Sequence, residues 1–240
     1  MTATESLLNV SNVHVAYPAR RRGGKSAHAV DGVDLEIHPG EIVALVGESG
    51  CGKTTLARAI LGLQETSEGS IAFGGELLPT SASGKKAFRR RAQIVFQDPT
   101  ASLNPRHSVY EIVAEGLRIH GLVENEHQVV KNALEQCGLH PAERYMLKYP
   151  HELSGGQRQR VVIAGAMVLK PQLLVADEPV SSLDASVRGE ILALLQRLAR
   201  DENMAVLVVT HDLGLPWNIA DRIAVMYLGR IVEIGTTEEL

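Results

Sequence analysis

Apolar and polar residues alternate over 7–17, the period of a strand with one covered and one exposed face. Arg20-Arg21-Arg22-Gly23-Gly24-Lys25 follows, a basic, glycine-containing stretch that reads as a solvated turn. A second strand pattern covers 29–37, and Pro39-Gly40 turns the chain into an unbroken apolar run over 42–46. Such a run is what a buried parallel strand requires. Behind it, Leu56, Ala59, Ile60 and Leu63 recur at helical spacing. A short strand is predicted over 69–73, closed by Gly74-Gly75. A basic helical patch over 85–91 and a buried strand over 92–96 come next, and that strand ends at Gln97.

The pattern changes at Asp98. From there to about Glu152, apolar residues keep helical spacing over 109–117 and 128–137, with polar turns between and no strand pattern. Together with the helix expected over 157–169, this makes a helical subdomain of about 98–170. Alternation of strand and helix then resumes: a strand over 173–176, a helix over 187–200 and a strand over 205–210. Two short runs over 223–226 and 231–234 read as closing strands. There is no internal repeat, low-complexity tract or heptad pattern. Residues 1–240 are therefore expected to form one α/β domain carrying a helical insertion.

Composition narrows the classes. Apolar residues make up 45% and charged residues 22% of the 240-residue chain, which is ordinary for a protein with a real core. A net charge of −4 gives no general attraction to nucleic acid or acidic lipid. No apolar run approaches the ~18 residues that span a bilayer, so a membrane span would come from another chain. The two cysteines are Cys51 and Cys137. Cys51 sits inside a glycine-rich loop that a disulfide would obstruct, so reduced thiols and a cytosolic setting are expected.

That loop is the chemical centre. Gly47, Glu48, Ser49, Gly50, Cys51, Gly52, Lys53 and Thr54 form a complete G-x-x-x-x-G-K-[ST] sequence between a strand and a helix, with Thr55 next. Glycines let consecutive N–H groups turn inward around a polyphosphate, and the helix N-terminus adds partial positive charge. Lys53 is placed for the outer phosphates and the Thr54 hydroxyl for Mg²⁺. The apolar run 173–176 ends in Asp177 and Glu178. Asp177 suits Mg²⁺ binding through its water shell; Glu178, on the opposite side of the chain, suits a general base for an attacking water. Ser154, Gly155, Gly156 and Gln157 open a helix, a second anion-binding terminus that one triphosphate in one chain does not need. Standing alone, it would be an ordinary serine cap.

Together these residues resemble the ATP-binding cassette family over nearly the whole chain. Gly47–Thr54 resembles its phosphate loop, Leu153-Ser154-Gly155-Gly156-Gln157 its LSGGQ signature, and residues 173–177 its magnesium strand. Gln97 is similar to the Q-loop glutamine, Ser182-Leu183-Asp184 to the D-loop and His211 to the switch histidine; Tyr17 stands where the family stacks an aromatic on adenine. The resemblance implies a P-loop NTPase core with an antiparallel β subdomain and an inserted α-helical subdomain. It implies ATP and Mg²⁺ as ligands. Thr54, Gln97 and Asp177 would hold the metal, and Glu178, His211, Lys53 and Gln97 would serve hydrolysis.

A narrower resemblance is to the oligopeptide, dipeptide and nickel importer ATPases. It rests on Gln97-Asp98-Pro99 with Ser102-Leu103-Asn104-Pro105-Arg106, on Arg89-Arg90-Arg91 and Tyr149-Pro150-His151, and on Asp177-Glu178-Pro179-Val180-Ser181 and Tyr227-Leu228-Gly229-Arg230. It departs at Gly165, where that branch carries arginine, and at the end, where the branch runs on past a segment like 236–240. The chain thus reads as a shortened form or one half of a longer tandem protein. The implied partners are transmembrane permease subunits, a second ATPase domain closing head-to-tail, and indirectly an extracytoplasmic solute-binding protein, with the chain on the cytoplasmic face of the membrane. An exporter ATPase and a soluble family ATPase stay open as alternatives. Chromosome-type relatives need a long coiled coil that this sequence lacks, and no nucleic-acid partner is expected.

Overall fold

The computed structural model describes residues 6–17 and 27–240; the basic turn expected at Arg20–Lys25 lies outside them. Strands β1 (Leu8–Tyr17) and β2 (Ala27–Ile37) pair antiparallel, and β1 also pairs antiparallel with β4 (Glu68–Phe73), to which the two-residue β5 (Glu76–Leu77) adds. Their order is β2-β1-β4-β5. A second sheet holds six strands in the order β10-β9-β3-β8-β7-β6: β3 (Ile42–Val46), β6 (Ala92–Val95), β7 (Leu173–Asp177), β8 (Ala205–Thr210), β9 (Arg222–Tyr227) and β10 (Arg230–Thr236). All its pairings are parallel except that of β9 with β10.

The apolar runs of β3, β7 and β8 are buried along their full length because both faces of this sheet are covered. Successive side chains take opposite faces. Val43, Leu45, Leu173, Val175, Leu207 and Val209 join α1 (Lys53–Ile60) and the inner face of the antiparallel sheet in one core. Ile42, Leu174, Ala176, Val206 and Val208 join the helices in the other.

Those helices come mainly from the long connection between β6 and β7. It contains α3 (Pro99–Ser102), α4 (Val109–His120), α5 (Glu126–Gln136), α6 (Glu143–Met146) and α7 (Gly155–Met167). α8 (Ala185–Asp201) follows β7, and α2 (Ala82–Arg91) precedes β6. Ser108 caps α4 in a reciprocal box with Glu111, and Gly121 ends it in the left-handed conformation, so its limits are local and chemical. Leu134 of α5, Ile163 of α7 and Leu194 of α8 share one apolar cluster with the sheet. The helical segment is thus continuous with the main core.

The expected α/β class, antiparallel sheet and helical insertion are all present. α8 and α2 run longer than their apolar stripes suggested, beginning at Ala185 and Ala82, while α7 keeps the expected length but lies two residues earlier, at Gly155–Met167. The extra residues of α8 and α2 are first-turn positions, mostly exposed, which carry no periodic signal. No helix among the described residues is long and apolar enough to cross a membrane.

Candidate functional site

Strands β3, β8 and β7 lie side by side in register, with Val46 opposite Thr210 and Val209 opposite Asp177. Their carboxyl ends therefore deliver Gly47, Asp177 and His211 to one edge of the sheet, where parallel α/β sheets bind ligands.

The loop after β3 is shaped by close backbone contact. At Gly47 a Cβ would run into the Met226 carbonyl, and at Gly52 into that of Ala29; both also hold positive φ, 152° and 115°. Only glycine fits either place. The Cys51 carbonyl accepts from Gly229 N–H at 2.8 Å, so the turn between β9 and β10 buttresses the loop from outside. That turn belongs to the Tyr227–Arg230 segment, whose packing role the sequence did not disclose. Lys53 is buried, and its ammonium donates to the carbonyls of Gly47 (2.7 Å) and Glu48 (2.9 Å). Ser49 and Gly50 are exposed at the rim, and Thr54 and Thr55 begin α1 half-buried.

Thr54 reaches across to β7: its hydroxyl donates to Asp177 Oδ1 at 3.3 Å. Asp177 is only 7% exposed. Burial raises its carboxyl pKa above the ordinary carboxylate range; the Thr54 hydrogen bond opposes this, the charge of Glu178 adds to it, and Arg58 and Lys53 oppose it. A buried carboxylate beside a hydroxyl is a donor set that suits a hard divalent cation such as Mg²⁺.

Glu178 turns the other way. It holds a left-handed backbone, φ 52°, pinned by its N–H to Val209 O at 2.8 Å and by Ser181 Oγ donating to its carbonyl at 3.1 Å. A non-glycine residue there carries strain of about 1–3 kcal/mol, a feature that clusters at functional sites. Its Oε1 accepts from the His211 backbone N–H at 3.0 Å and lies 2.6 Å from His211 Nδ1, with the Thr210 hydroxyl 3.5 Å from Oε2. His211 is exposed and Glu178 half-buried, so the pair faces outward from the sheet edge.

Other expected site residues stand apart. Gln97 is exposed two residues beyond β6, which pairs with β7. Tyr17 ends β1 opposite Ala27, 40% exposed, with its hydroxyl 3.5 Å from Gln64 Oε1, beyond the C-terminal end of α1. Ser154 stands at the start of α7. It caps α7, accepting from Gln157 N–H at 3.3 Å while Ser154 N–H donates to Gln157 Oε1 at 3.0 Å. Gly155 and Gly156 approach Leu183 and Val187, so the helix start packs on α8. α7 is on the helical face of the sheet and α1 on the opposite face. Two contributors escape sequence reasoning: Arg58, a charge acting on Asp177, and the Thr210 hydroxyl, which supports both Glu178 and Asp212 N–H. An arginine on the outer side of a helix and a threonine at a strand end have no distinctive spacing.

Residues 30–181 match the family described as ABC transporter. The chain belongs to the ABC transporter family. Across 96% of its length it is 46% identical to the glutathione import ATP-binding protein GsiA of Escherichia coli, though it spans only 38% of that protein. It is also 46% identical to the putative oligopeptide transport ATP-binding protein YkfD of Bacillus subtilis, over 95% of this chain and 69% of that one. The ABC fold is equally clear in solved structures. One is cbiO1 from Clostridium perfringens, part of the ABC transporter complex cbiONQ: TM-score 0.84, 31% identity, covering 98% of this chain and 90% of that one. Another is the ATP-binding cassette MJ0796, in a dimeric post-hydrolysis state bound to ADP and Pi: TM-score 0.82, 28% identity, 96% and 98% coverage.

Proposed function

We propose that this ABC domain binds and hydrolyses ATP, and that two such domains closing head-to-tail drive solute import through separate transmembrane subunits. The observation that carries the reading is the convergence of Lys53, the Thr54–Asp177 pair and the Glu178–His211 pair at the ends of three adjacent parallel strands.

The residues suit the work. The glycine cradle, which no side chain can enter, offers N–H groups to a polyphosphate, and the Lys53 ammonium exchanges loop carbonyls for phosphate oxygens. Thr54 and Asp177, joined by Gln97, would hold Mg²⁺, which when bound neutralises phosphate charge. Glu178 accepts the proton of an attacking water, and His211 holds the Glu178 carboxylate in place. Tyr17 stacks on the base once its hydroxyl leaves Gln64.

Ser154 serves the neighbouring domain. It is exposed, it opens a helix on the face of the sheet opposite α1, and its hydroxyl accepts from Gln157 N–H as the cap of that helix. Ser154, Gly155, Gly156 and Gln157 would complete the partner's phosphate site, while Gly47–Thr55 supply the rest.

Small peptides are the cargo class favoured by the names of GsiA and YkfD, and the helical segment α3–α6 is the surface offered to a permease. An extracytoplasmic binding protein would deliver the cargo, placing this chain on the cytoplasmic face of the membrane. Mixing Lys53→Ala and Ser154→Ala chains tests the paired site. If the chain forms homodimers, phosphate release should partly return, since one composite site keeps both intact halves. Equal loss of nucleotide binding in both single variants would place Ser154 in its own chain's site and defeat the head-to-tail arrangement. Reconstitution with permease subunits tests direction: loaded binding protein should stimulate hydrolysis. Export activity without a binding protein would overturn the importer reading alone.

A further inference from the structure

Away from the nucleotide edge, β1 and β2 bring two imidazoles and a carboxylate together. One ring nitrogen each of His14 and His28 and one carboxylate oxygen of Asp31 all lie within 4.8 Å of one another. We infer that His14, His28 and Asp31 bind a single divalent transition cation of the zinc type.

The backbone explains the convergence. Pairing of β1 with β2 shifts register between Val10 and Val13, again between Val13 and Val15, and again before Ala16. Each shift re-aims side chains that regular alternation would separate. Asn12, at φ 45° and with its N–H held by Asp34 Oδ1 at 2.8 Å, occupies the first irregularity. Its side-chain oxygen stands 3.3 Å from His14 Nε2.

That contact is compatible with a ring that ligates through Nδ1. In the tautomer that donates Nε2–H to the Asn12 oxygen, His14 Nδ1 presents a lone pair, 3.2 Å from Asp31 Oδ1. In that tautomer Nδ1 and Oδ1 are both acceptors, and a positive species between them would relieve their repulsion. A proton would serve two groups, but the third donor, His28, within the same 4.8 Å, has no part in a proton bridge. Metal-bound histidines are held in this way, with the second ring nitrogen donating to a carbonyl or carboxylate.

The geometry is close to what an ion needs. Ligand atoms about 2 Å from a tetrahedral ion stand about 3.3 Å apart. The His14–Asp31 pair is already at that spacing, and His28, exposed near the start of β2, closes the remainder by rotation. Arg230 binds the other oxygen, Oδ2, at 2.7 and 2.9 Å, which orients the carboxylate and leaves Oδ1 available. Two imidazoles and one carboxylate suit Zn²⁺ and its transition-metal neighbours; Mg²⁺ prefers oxygen donors alone. Three protein ligands leave a position for water.

An ion here would staple the ends of β1 and β2 that carry Tyr17 and Ala27. It would also sit close to the phosphate loop. Asp31 N–H donates to Gly229 O, and Gly229 N–H donates to Cys51 O, each at 2.8 Å.

The test uses the chain freed of any affinity tag and stripped with chelator, titrated calorimetrically with ZnCl₂ and in parallel with MgCl₂, without nucleotide. About one Zn²⁺ per chain should bind at micromolar or tighter affinity, with no saturable Mg²⁺ heat in the same range. His14→Asn and His28→Ala should each weaken Zn²⁺ by at least about 10-fold. Excess Zn²⁺ should raise the melting temperature of the parent by about 5 °C and leave both variants unmoved. Far-UV circular dichroism confirms that the variants are folded. Zn²⁺ affinity unchanged in both variants, or no Zn²⁺ binding by the parent, would overturn the assignment.

Discussion

Glu178→Gln separates two jobs that one side chain performs. The glutamine keeps the shape and an acceptor oxygen, so the bond from His211 N–H, 3.0 Å in the parent, can persist. It removes one charge from beside Asp177, whose carboxyl feels Glu178 as a repulsive neighbour. The strained backbone is unchanged, since φ 52° is set by the bonds to Val209 and Ser181. Folding stability should therefore move by less than about 1.5 kcal/mol, the net worth of a typical hydrogen bond. Turnover should behave very differently. The amide cannot take a proton from water, and loss of a general base costs ~10²–10⁴ in rate. That corresponds to about 2.7–5.5 kcal/mol on the barrier. Three measurements on one preparation decide it: steady-state phosphate release, equilibrium binding of a fluorescent ATP analogue with Mg²⁺, and urea unfolding. The expected result is a large fall in the first, with the second and third near the parent, and an ATP-trapped dimer on size-exclusion chromatography. Hydrolysis at the parental rate would remove Glu178 from proton transfer.

Three further perturbations probe other parts. Ser154→Ala should cost ~0.5–2 kcal/mol through the lost α7 cap, read by urea melts, while nucleotide affinity of the isolated monomer holds and turnover falls. Cys137 is fully buried and its thiol is pushed up to about 12 by desolvation, so it stays neutral through the ordinary pH range. In a Cys51→Ala background, labelling by a thiol reagent at pH 8 should wait for unfolding; fast native labelling would contradict this. Leu134→Ala, in the cluster that unites α5, α7, α8 and the sheet, should cost ~2–5 kcal/mol and lower one cooperative transition, whereas a separate early transition would mark the helical segment as an independent unit.

Much of the fold was legible because the apolar runs over 42–46, 173–176 and 205–210 are too unbroken for half-exposed strands. They could only belong to a sheet covered on both sides, and β3, β7 and β8 are such strands. What the runs could not reveal is which residue faces which core. Leu174 and Val175 look alike in sequence, yet one meets the helices and the other meets α1 and the antiparallel sheet. Strand order was equally hidden, since β3 lies between β8 and β9, both distant in sequence. Two-residue β5 and four-residue α3 and α6 were missed because so few residues carry no period.

At the candidate site, residue types were readable where chemistry constrains them and silent where packing does. Gly156 illustrates the difference. Its sequence context suggests a glycine kept open for an anion at a helix start, but within the chain its lack of a side chain also lets α7 approach Val187 of α8. One glycine can answer both demands, because a helix that packs closely on its neighbour has its N-terminus held still. Ser154 poses the same question more sharply. Its hydroxyl is already engaged by Gln157 N–H, at a long 3.3 Å and exposed to water. A capping serine accepts with one lone pair and keeps another lone pair and its proton. The hydroxyl can therefore donate outward to a phosphate oxygen without releasing the helix it caps. The ordinary reading of that serine and the cross-domain reading are compatible, and the cap is what aims the hydroxyl.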